Sequence, residues 1–287
     1  MNVYKGKAYA KINLTLELTG VREGYHLLDS LVASIDVFDE VKVVKRADDY
    51  STITMQGMDS ENIPPERNTA LQSAFAFSKK FKCNGVDIFV KKNIPIGGGL
   101  GGSSANVGAV LTAMSKLYGI EDKTAVEGIA DSLGSDTKYM LTGGYKRMQG
   151  RGEILTETGI ETQLYLLLLC PETPVHTGAC YRKFDQLPRT LQWKESATEG
   201  CIKALLEGNI QDVGRYVYND LYIPALHLNG DVEKAYAEMQ ALQPVATCMS
   251  GSGSCVFGIF ETAKACATAY KKYQGNFRAI ATKTVLP

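Results

Sequence analysis

The residues best suited to chemistry lie in one stretch, Lys92-Asn-Ile-Pro-Ile-Gly-Gly-Gly-Leu-Gly-Gly-Ser-Ser-Ala-Asn106. Gly97, Gly98, Gly99, Gly101 and Gly102 carry no side chain that would hold a ligand off the main chain. They also tolerate positive φ, so successive N–H groups can converge on one anion. Ser103 and Ser104 add hydroxyls suited to phosphate oxygens or to a phosphate-bound Mg2+. Before the loop, Val86, Ile88 and Val90 alternate with Asp87, Phe89 and Lys91, which predicts a strand. After it, Val107, Val110, Leu111, Met114, Leu117 and Tyr118 recur at three- and four-residue steps, and Gly119 follows, which predicts a helix closing there. The helix start would add unpaired N–H groups and the positive end of its dipole. A hinge, or a tight packing turn between strand and helix, explains the same glycines without a ligand. The loop is no Walker A motif, because Gly-Lys-Ser/Thr is absent. No acidic residue ends a second strand about 20 residues on, as a dinucleotide fold needs; Glu121 and Asp122 read as a helix–helix connection.

Other candidates are weaker alone. Ala8 to Leu18 alternates strictly, with Ala8, Ala10, Ile12, Leu14, Leu16 and Leu18 facing one way, so Lys11 and Asn13 stand together on the other face. An ordinary solvated strand face is the plain reading of that pair. Tyr25 and His26 offer a stacking surface and a hydrogen-bonding edge within Gly20–Asp29, which reads as a turn. Asp136 follows the helix end at Gly134, where the dipole disfavours a carboxylate, so its place is either functional or that of a turn-forming aspartate. Met249-Ser-Gly-Ser-Gly-Ser254 is a second glycine–serine loop with no helix behind it; close packing on another backbone, a ligand, or a hairpin turn all fit.

The elements positioning these residues are legible in outline. Strands are expected at Leu31–Val37, Glu40–Arg46, Ser51–Gln56 and Tyr145–Met148. Ile63-Pro-Pro65 breaks the chain. Asn68–Phe81 reads as a helix with Leu71, Ala74, Phe75 and Ser78 inward. Thr124 to Glu127 fits a capping box for a helix whose inner face is Val126, Ile129, Ala130 and Leu133. Past Glu153 the pattern restarts. Leu164–Cys170 is a buried strand, and an element begins at Val175–Tyr181. Helices follow at Ser196–Glu207 and Asp231–Leu242, with Asn219-Asp-Leu221 as punctuation between them. The tail runs strand, second loop, strand (Cys255–Phe260), helix (Ala263–Tyr273), strand (Phe277–Val285).

With 287 residues, 45% hydrophobic and 22% charged, the chain can bury a full core. Thirty-one basic residues balance 31 acidic ones, so nothing favours nucleic acid or an anionic membrane, and any phosphate must be held by local geometry. Seven cysteines without C-x-x-C point to a reducing compartment and no metal framework. Leu164–Cys170 is too short to span a bilayer, and the amino terminus lacks a signal-peptide pattern. A cytoplasmic protein is expected.

Three segments in order, Ala10-Lys-Ile-Asn-Leu14, Pro95 to Ala105, and Met249 to Ser254 followed by Val256-Phe257, resemble the GHMP kinases, a family of small-molecule kinases. Gly24-Tyr-His-x-Leu28, Gly150-Arg-Gly-Glu153, Val175-x-Thr177 with Tyr181, and Asn219-Asp-Leu221 resemble the members that act on a cytidine diphosphate alcohol. The resemblance implies an α+β, two-domain fold: an N-terminal glycine-loop domain, residues 1–155, and a smaller C-terminal α/β sandwich, residues 156–287. It implies ATP and Mg2+ as cofactors, with ATP along Pro95, Ile96, Gly97, Gly98, Gly99, Leu100, Gly101, Gly102, Ser103, Ser104 and Ala105. Lys11 and Asp136 match the catalytic pair. Asn13, Tyr25, His26, Thr177 and Tyr181 match positions that hold the cytidine diphosphate alcohol, the two tyrosines sandwiching the base and His26 reading its edge. Metal ligands and oligomeric state stay unassigned.

The chain departs from that pattern at Asp136-Thr-Lys-Tyr-Met140, where Asp-Val-Pro-Phe-Phe is usual. It departs again at Gly101-Gly-Ser-Ser-Ala105, in place of Gly-Gly-Gly-Ser-Ser. Arg22-Glu23 also replaces the usual aspartate before Gly24. Lys138 could meet phosphate or mark a changed acceptor. A GHMP kinase with another alcohol acceptor, a silent nucleotide-binding paralogue and a redox dinucleotide enzyme are the competing readings.

Overall fold

The computed structural model of the protein describes residues 2–57, 64, 67–188 and 196–286. Two compact units emerge. The first comprises Met1–Ala10, Val37–Ile96 and Gly101–Gly143; the second comprises Lys11–Asp36, Gly97–Leu100 and Gly144–Pro287. The chain opens on β1 (Val3–Asn13), β2 (Thr15–Arg22), β3 (Tyr25–Lys45) and β4 (Thr52–Gly57). Then come α1 (Thr69–Phe81), β5 (Val86–Lys92), α2 (Gly102–Tyr118), α3 (Lys123–Leu133) and the short α4 (Tyr139–Thr142). β6 (Tyr145–Gly150), β7 (Ile154–Glu157), β8 (Tyr165–Cys170), α5 (Thr177–Gln186), α6 (Ala197–Leu206) and α7 (Ile210–Tyr216) follow. The chain closes with β9 (Tyr218–Asn219), α8 (Tyr222–Leu228), α9 (Gly230–Ala241), β10 (Ala246–Met249), β11 (Val256–Phe260), α10 (Ala263–Lys272) and β12 (Arg278–Lys283).

In the first unit, the C-terminal part of β3 pairs antiparallel with β5, and β4 runs parallel to β5. Val41, Val43, Val86, Ile88 and Val90 are buried at alternate positions, as the sequence pattern requires. Helix α1 packs on α2 and α3, and α2 also packs on α4. Asn68 caps α1 by accepting from the N–H groups of Ala70 and Leu71. Its inner face differs from expectation: Phe75 is 42% exposed, and Phe77 is buried. The apolar stripe that starts at Ala70 and Leu71 continues through Ala74 to Phe77, whose ring centroid lies 4.6 Å from that of Phe81. Helix α3 is capped by Asp122, whose carboxylate accepts from Ala125 N–H at 3.0 Å, and not by Thr124. An aspartate at that spacing caps and also complements the helix dipole.

In the second unit, β2 and β6 flank the N-terminal part of β3 antiparallel, β7 pairs with β6, and β9 lies parallel to β2. A separate antiparallel sheet has the order β10-β11-β8-β12, with Leu169 opposite Val256. Leu166 to Leu169 are all fully buried, which is why β8 reads as an unbroken apolar run. Leu167, Leu169, Val232, Met239, Val256 and Cys266 belong to one buried cluster.

Ala8–Leu18, expected as one strand, divides at Leu14, whose N–H donates to Leu31 C=O. The Gly20–Asp29 turn contracts to Glu23 and Gly24, both at positive φ, so Tyr25 and His26 stand on a strand. The strands expected at Leu31–Val37 and Glu40–Arg46 are one, β3. The stretch 210–228 holds α7, β9 and α8, where only punctuation was expected. Pro224 sits in the first turn of α8, where its missing N–H costs no bond. The break at Ile63–Pro65 lies outside the described residues apart from Pro64.

Candidate active site

In the second unit, three sequence segments that looked capable of chemistry interlock. Lys11 N–H donates to Leu100 C=O at 3.0 Å, which ties β1 to the glycine loop. Ser250 Oγ donates to Gly99 C=O at 3.0 Å. Ser254 and Cys255 N–H donate to Gly97 and Gly98 C=O at 3.3 and 3.2 Å. The second glycine–serine loop, which joins the antiparallel pair β10 and β11, therefore cradles the first. A Cβ on Gly99 would come within 2.0 Å of Ser250 O, and one on Gly98 within 2.4 Å of Cys255 Sγ. Glycine at these positions is thus demanded by contact between the two loops. That is the packing reason, and it operates whether or not a ligand is bound.

Lys11 and Asn13 are only 4% and 3% exposed, so the solvated strand face expected for them does not exist. Lys11 Nζ donates to Asn13 Oδ1 at 2.6 Å, and Asn13 Nδ2 donates to Ser30 Oγ at 2.8 Å. A Cβ on Gly251 would stand 3.5 Å from Lys11 Nζ, so the ammonium sits against the second loop. Thr177, the first residue of α5, shares a hydrogen bond of 2.9 Å with Ser252. Asn219, only 5% exposed, clasps the same loop: Nδ2 donates to Met249 and Gly251 C=O at 2.7 and 2.8 Å, and Oδ1 accepts from Leu221 N–H. In sequence, Asn219 stands in a punctuating segment that shares in the family resemblance, without being named as a site residue. A buried amide that satisfies three main-chain groups is the physical content of that punctuation.

The aromatic candidates form a neighbouring group in this unit. His26 and Tyr181 rings lie 5.0 Å apart, and the ring of Phe184 on α5 meets His26 edge-on at 5.9 Å. His26 Nε2 is 2.8 Å from Asp185 Oδ1, which fixes the orientation of the imidazole. Tyr25, 54% exposed, carries the Arg151 guanidinium 3.7 Å over its ring centroid. Arg151 lies in the turn of the β6–β7 hairpin, within the Gly150–Glu153 segment that carries part of the family resemblance, although its side chain was not among the expected site residues.

In the first unit, Pro95 and Ile96 lead into the loop, and Gly102, Ser103, Ser104 and Ala105 form the first turn of α2. The N-cap, Gly101, sits at φ +71°, offers no side-chain cap, and the first turn holds no acidic residue. The start of α2 therefore keeps its donors and its dipole for an anion. Ser103 Oγ shares a bond of 2.9 Å with Thr69 Oγ1. One turn into the helix, the buried Asn106 Oδ1 has no partner. Asp136 belongs to this unit and lies half-buried in the turn between α3 and α4.

The residues after Asp136 have local roles. Thr137 Oγ1 donates to Gly134 C=O at 2.8 Å and closes the turn. Lys138 Nζ lies 3.4 Å from Glu127 and 3.9 Å from Asp131, both on α3. Tyr139 is fully buried, and Met140 abuts Gly108 of α2, where a Cβ would meet its carbonyl at 2.7 Å. The charge of Lys138 is thus engaged by its own neighbourhood.

The residues fit a nucleoside triphosphate at an uncapped helix start. Among the described residues there is no group of three or more His, Cys, Asp or Glu side chains that could hold a metal ion. A Mg2+ ion there would take most of its ligands from phosphate and water, as is usual for this ion. All seven cysteines are free, and among the described residues no helix is long and apolar enough to cross a membrane.

Residues 68–145 match the GHMP kinases N-terminal domain, and residues 201–278 match the GHMP kinases C-terminal domain. The chain is 33% identical over 258 residues to a 4-diphosphocytidyl-2-C-methyl-D-erythritol kinase of Caldicellulosiruptor saccharolyticus, covering 88% of this chain and 87% of that one. It is 33% identical to the protein of the same name from Thermoanaerobacter pseudethanolicus, covering 94% and 92%. A crystal structure of a 4-(cytidine 5'-diphospho)-2C-methyl-D-erythritol kinase superposes with TM-score 0.79 at 28% identity, covering 98% of this chain and 99% of that one.

Proposed function

This chain belongs to the GHMP kinase family, and we propose that it transfers the γ-phosphoryl group of ATP to the 2-hydroxyl of 4-diphosphocytidyl-2-C-methyl-D-erythritol, a step of non-mevalonate isoprenoid synthesis. The observation that carries the reading is the interlock of Lys11, Gly97–Leu100 and Met249–Ser254 in one unit, the same three segments that mark the family in sequence. The similarity to relatives bearing that kinase name over most of the chain supports the choice of acceptor. The protein is a cytoplasmic phosphotransferase, in keeping with its free thiols. We place the boundary between its two family domains near residues 155 and 156, between the stretches that match the N-terminal and C-terminal family models and apart from the edges of the compact units.

Phosphoryl transfer needs an aligned hydroxyl, shielding of phosphate charge, and a group that takes or orients one proton. The N–H groups of Gly102 to Ser104, uncapped at the start of α2, hold the triphosphate, along the segment Pro95 to Ala105. Mg2+, when bound, neutralises charge on the β- and γ-phosphates. Asp136 receives or orients the proton of the C2 hydroxyl. Lys11, held by Asn13, offsets charge on the attacking oxygen. Asn13, His26, Tyr25, Thr177 and Tyr181 hold the cytidine diphosphate alcohol, with His26 kept in one orientation by Asp185.

A substrate panel tests this. ADP release from ATP and Mg2+ should depend on 4-diphosphocytidyl-2-C-methyl-D-erythritol and should be absent with mevalonate, homoserine or galactose. Turnover with one of those three alcohols in its place would reassign the acceptor. No turnover with any alcohol would leave a nucleotide-binding protein.

A further inference from the structure

Where β5 leaves its sheet, a side chain takes over the pairing. The β3–β5 ladder runs as far as Glu40 opposite Lys91. The chain then turns toward the glycine loop, and the next two free-standing N–H groups, of Asn93 and Ile94, both donate to Asp39 Oδ1 at 2.7 and 2.9 Å. The other carboxylate oxygen pairs with Lys92 Nζ. Asn93 Nδ2 adds a bond to Phe38 C=O at 3.1 Å. Asp39 is fully buried and Lys92 is 5% exposed. The ammonium is tucked against the first turn of α2: a Cβ on Gly102 would stand 3.4 Å from Lys92 Nζ and 3.1 Å from Ile94 Cγ2. All of these residues lie in the first unit.

A buried ion pair does little for stability, since apolar residues of similar volume commonly do as well or better. What it supplies is placement, because three hydrogen bonds converge on one rigid carboxylate and leave the loop stem a single path. We propose that Asp39 and Lys92 form a positioning pair that fixes the first turn of α2 and so sets the affinity for the triphosphate, without touching it. The proposal rests on the reading of that helix start as the phosphate site. It assigns a role to two residues that lie outside the Pro95–Ala105 segment expected to hold ATP.

The test compares MgATP affinity, by calorimetry, in the wild-type protein, Asp39→Asn, and the double variant Asp39→Leu/Lys92→Met. The double variant removes both charges together and leaves no uncompensated buried ion. It should still unfold cooperatively, at a lower temperature than wild type, because the Asn93 and Ile94 N–H groups lose their acceptor. Its dissociation constant for MgATP should nevertheless rise about tenfold to a hundredfold, the range a displacement of about 1 Å can cause. The KM for the alcohol at saturating ATP should stay unchanged. Asp39→Asn keeps one acceptor for the stem amides and should fall between the two. A double variant that folds and binds MgATP like wild type overturns the proposal. So does a double variant that fails to fold, because the pair would then be structural only. Wild-type protein with no affinity for MgATP would instead sink the kinase reading itself.

Discussion

At the scale of single residues, the account turns on side chains whose neighbours restrict what they can do. Asp136→Ala should lose most turnover while MgATP binding survives, measured as ADP release against calorimetric affinity. A variant that turns over like wild type would remove Asp136 from the chemistry. Asn219 satisfies Met249, Gly251 and Leu221 main-chain groups at once. Asn219→Ala leaves those buried groups unpaired and should cost about 1–3 kcal/mol in a denaturant titration. Lys11 was legible as a candidate through its place beside Asn13, but its burial was not. Strict alternation predicts one wet face, and here both faces are covered, with Thr15 and Ser30 completing the polar row. Asp39 and Lys92 were invisible as a pair, because their meeting depends on the register of β3 against β5. Sequence spacing does not give that register.

At the scale of elements, the two glycine loops explain one another. Gly99→Ala should be poorly tolerated, since the residue has φ +73° and its Cβ would lie 2.0 Å from a carbonyl oxygen. A drop in melting temperature together with weakened MgATP binding is expected. Gly128, in contrast, lies in α3 with nothing within 4 Å of a Cβ. Gly128→Ala should raise stability by about 1 kcal/mol, the helix preference of alanine over glycine, with activity unchanged. A destabilised Gly128→Ala would mean that the helix face is not open as described. The strand–loop–helix around Gly97 to Ala105 was plain from periodicity and glycine content, because those signals are local. The purpose of the glycines was only half legible. Their closest neighbours, Pro174, Ser250 and Cys255, come from segments far along the chain. The helices between 210 and 228 escaped notice because α7 and α8 are seven residues each, too short for periodicity to declare itself.

For the whole molecule, the buried thiols set an alkaline limit. Burial pushes the thiols of Cys201 and Cys248 up from an ordinary 9.0 to about 12. The folded chain then keeps protons that the unfolded chain releases above pH 9, so stability is complete below that pH and falls as pH rises toward 12. Each such thiol should contribute a slope of about 1.4 kcal/mol per pH unit in that window. Unfolding midpoints that stay level from pH 9 to 11 would contradict the burial of these groups. The α+β class and the two-part family fold were legible through the family resemblance that the ordered motifs carry. The interleaving of chain segments in the two compact units was not, since only long-range pairing reveals it.

The most direct measurement of the central claim is a phosphorus NMR spectrum of the purified protein incubated with ATP, Mg2+ and 4-diphosphocytidyl-2-C-methyl-D-erythritol. A new phosphomonoester signal should grow in step with ADP while the diphosphate bridge of the cytidyl alcohol stays intact. ADP accompanied only by inorganic phosphate, or an unchanged acceptor beside intact ATP, would contradict it.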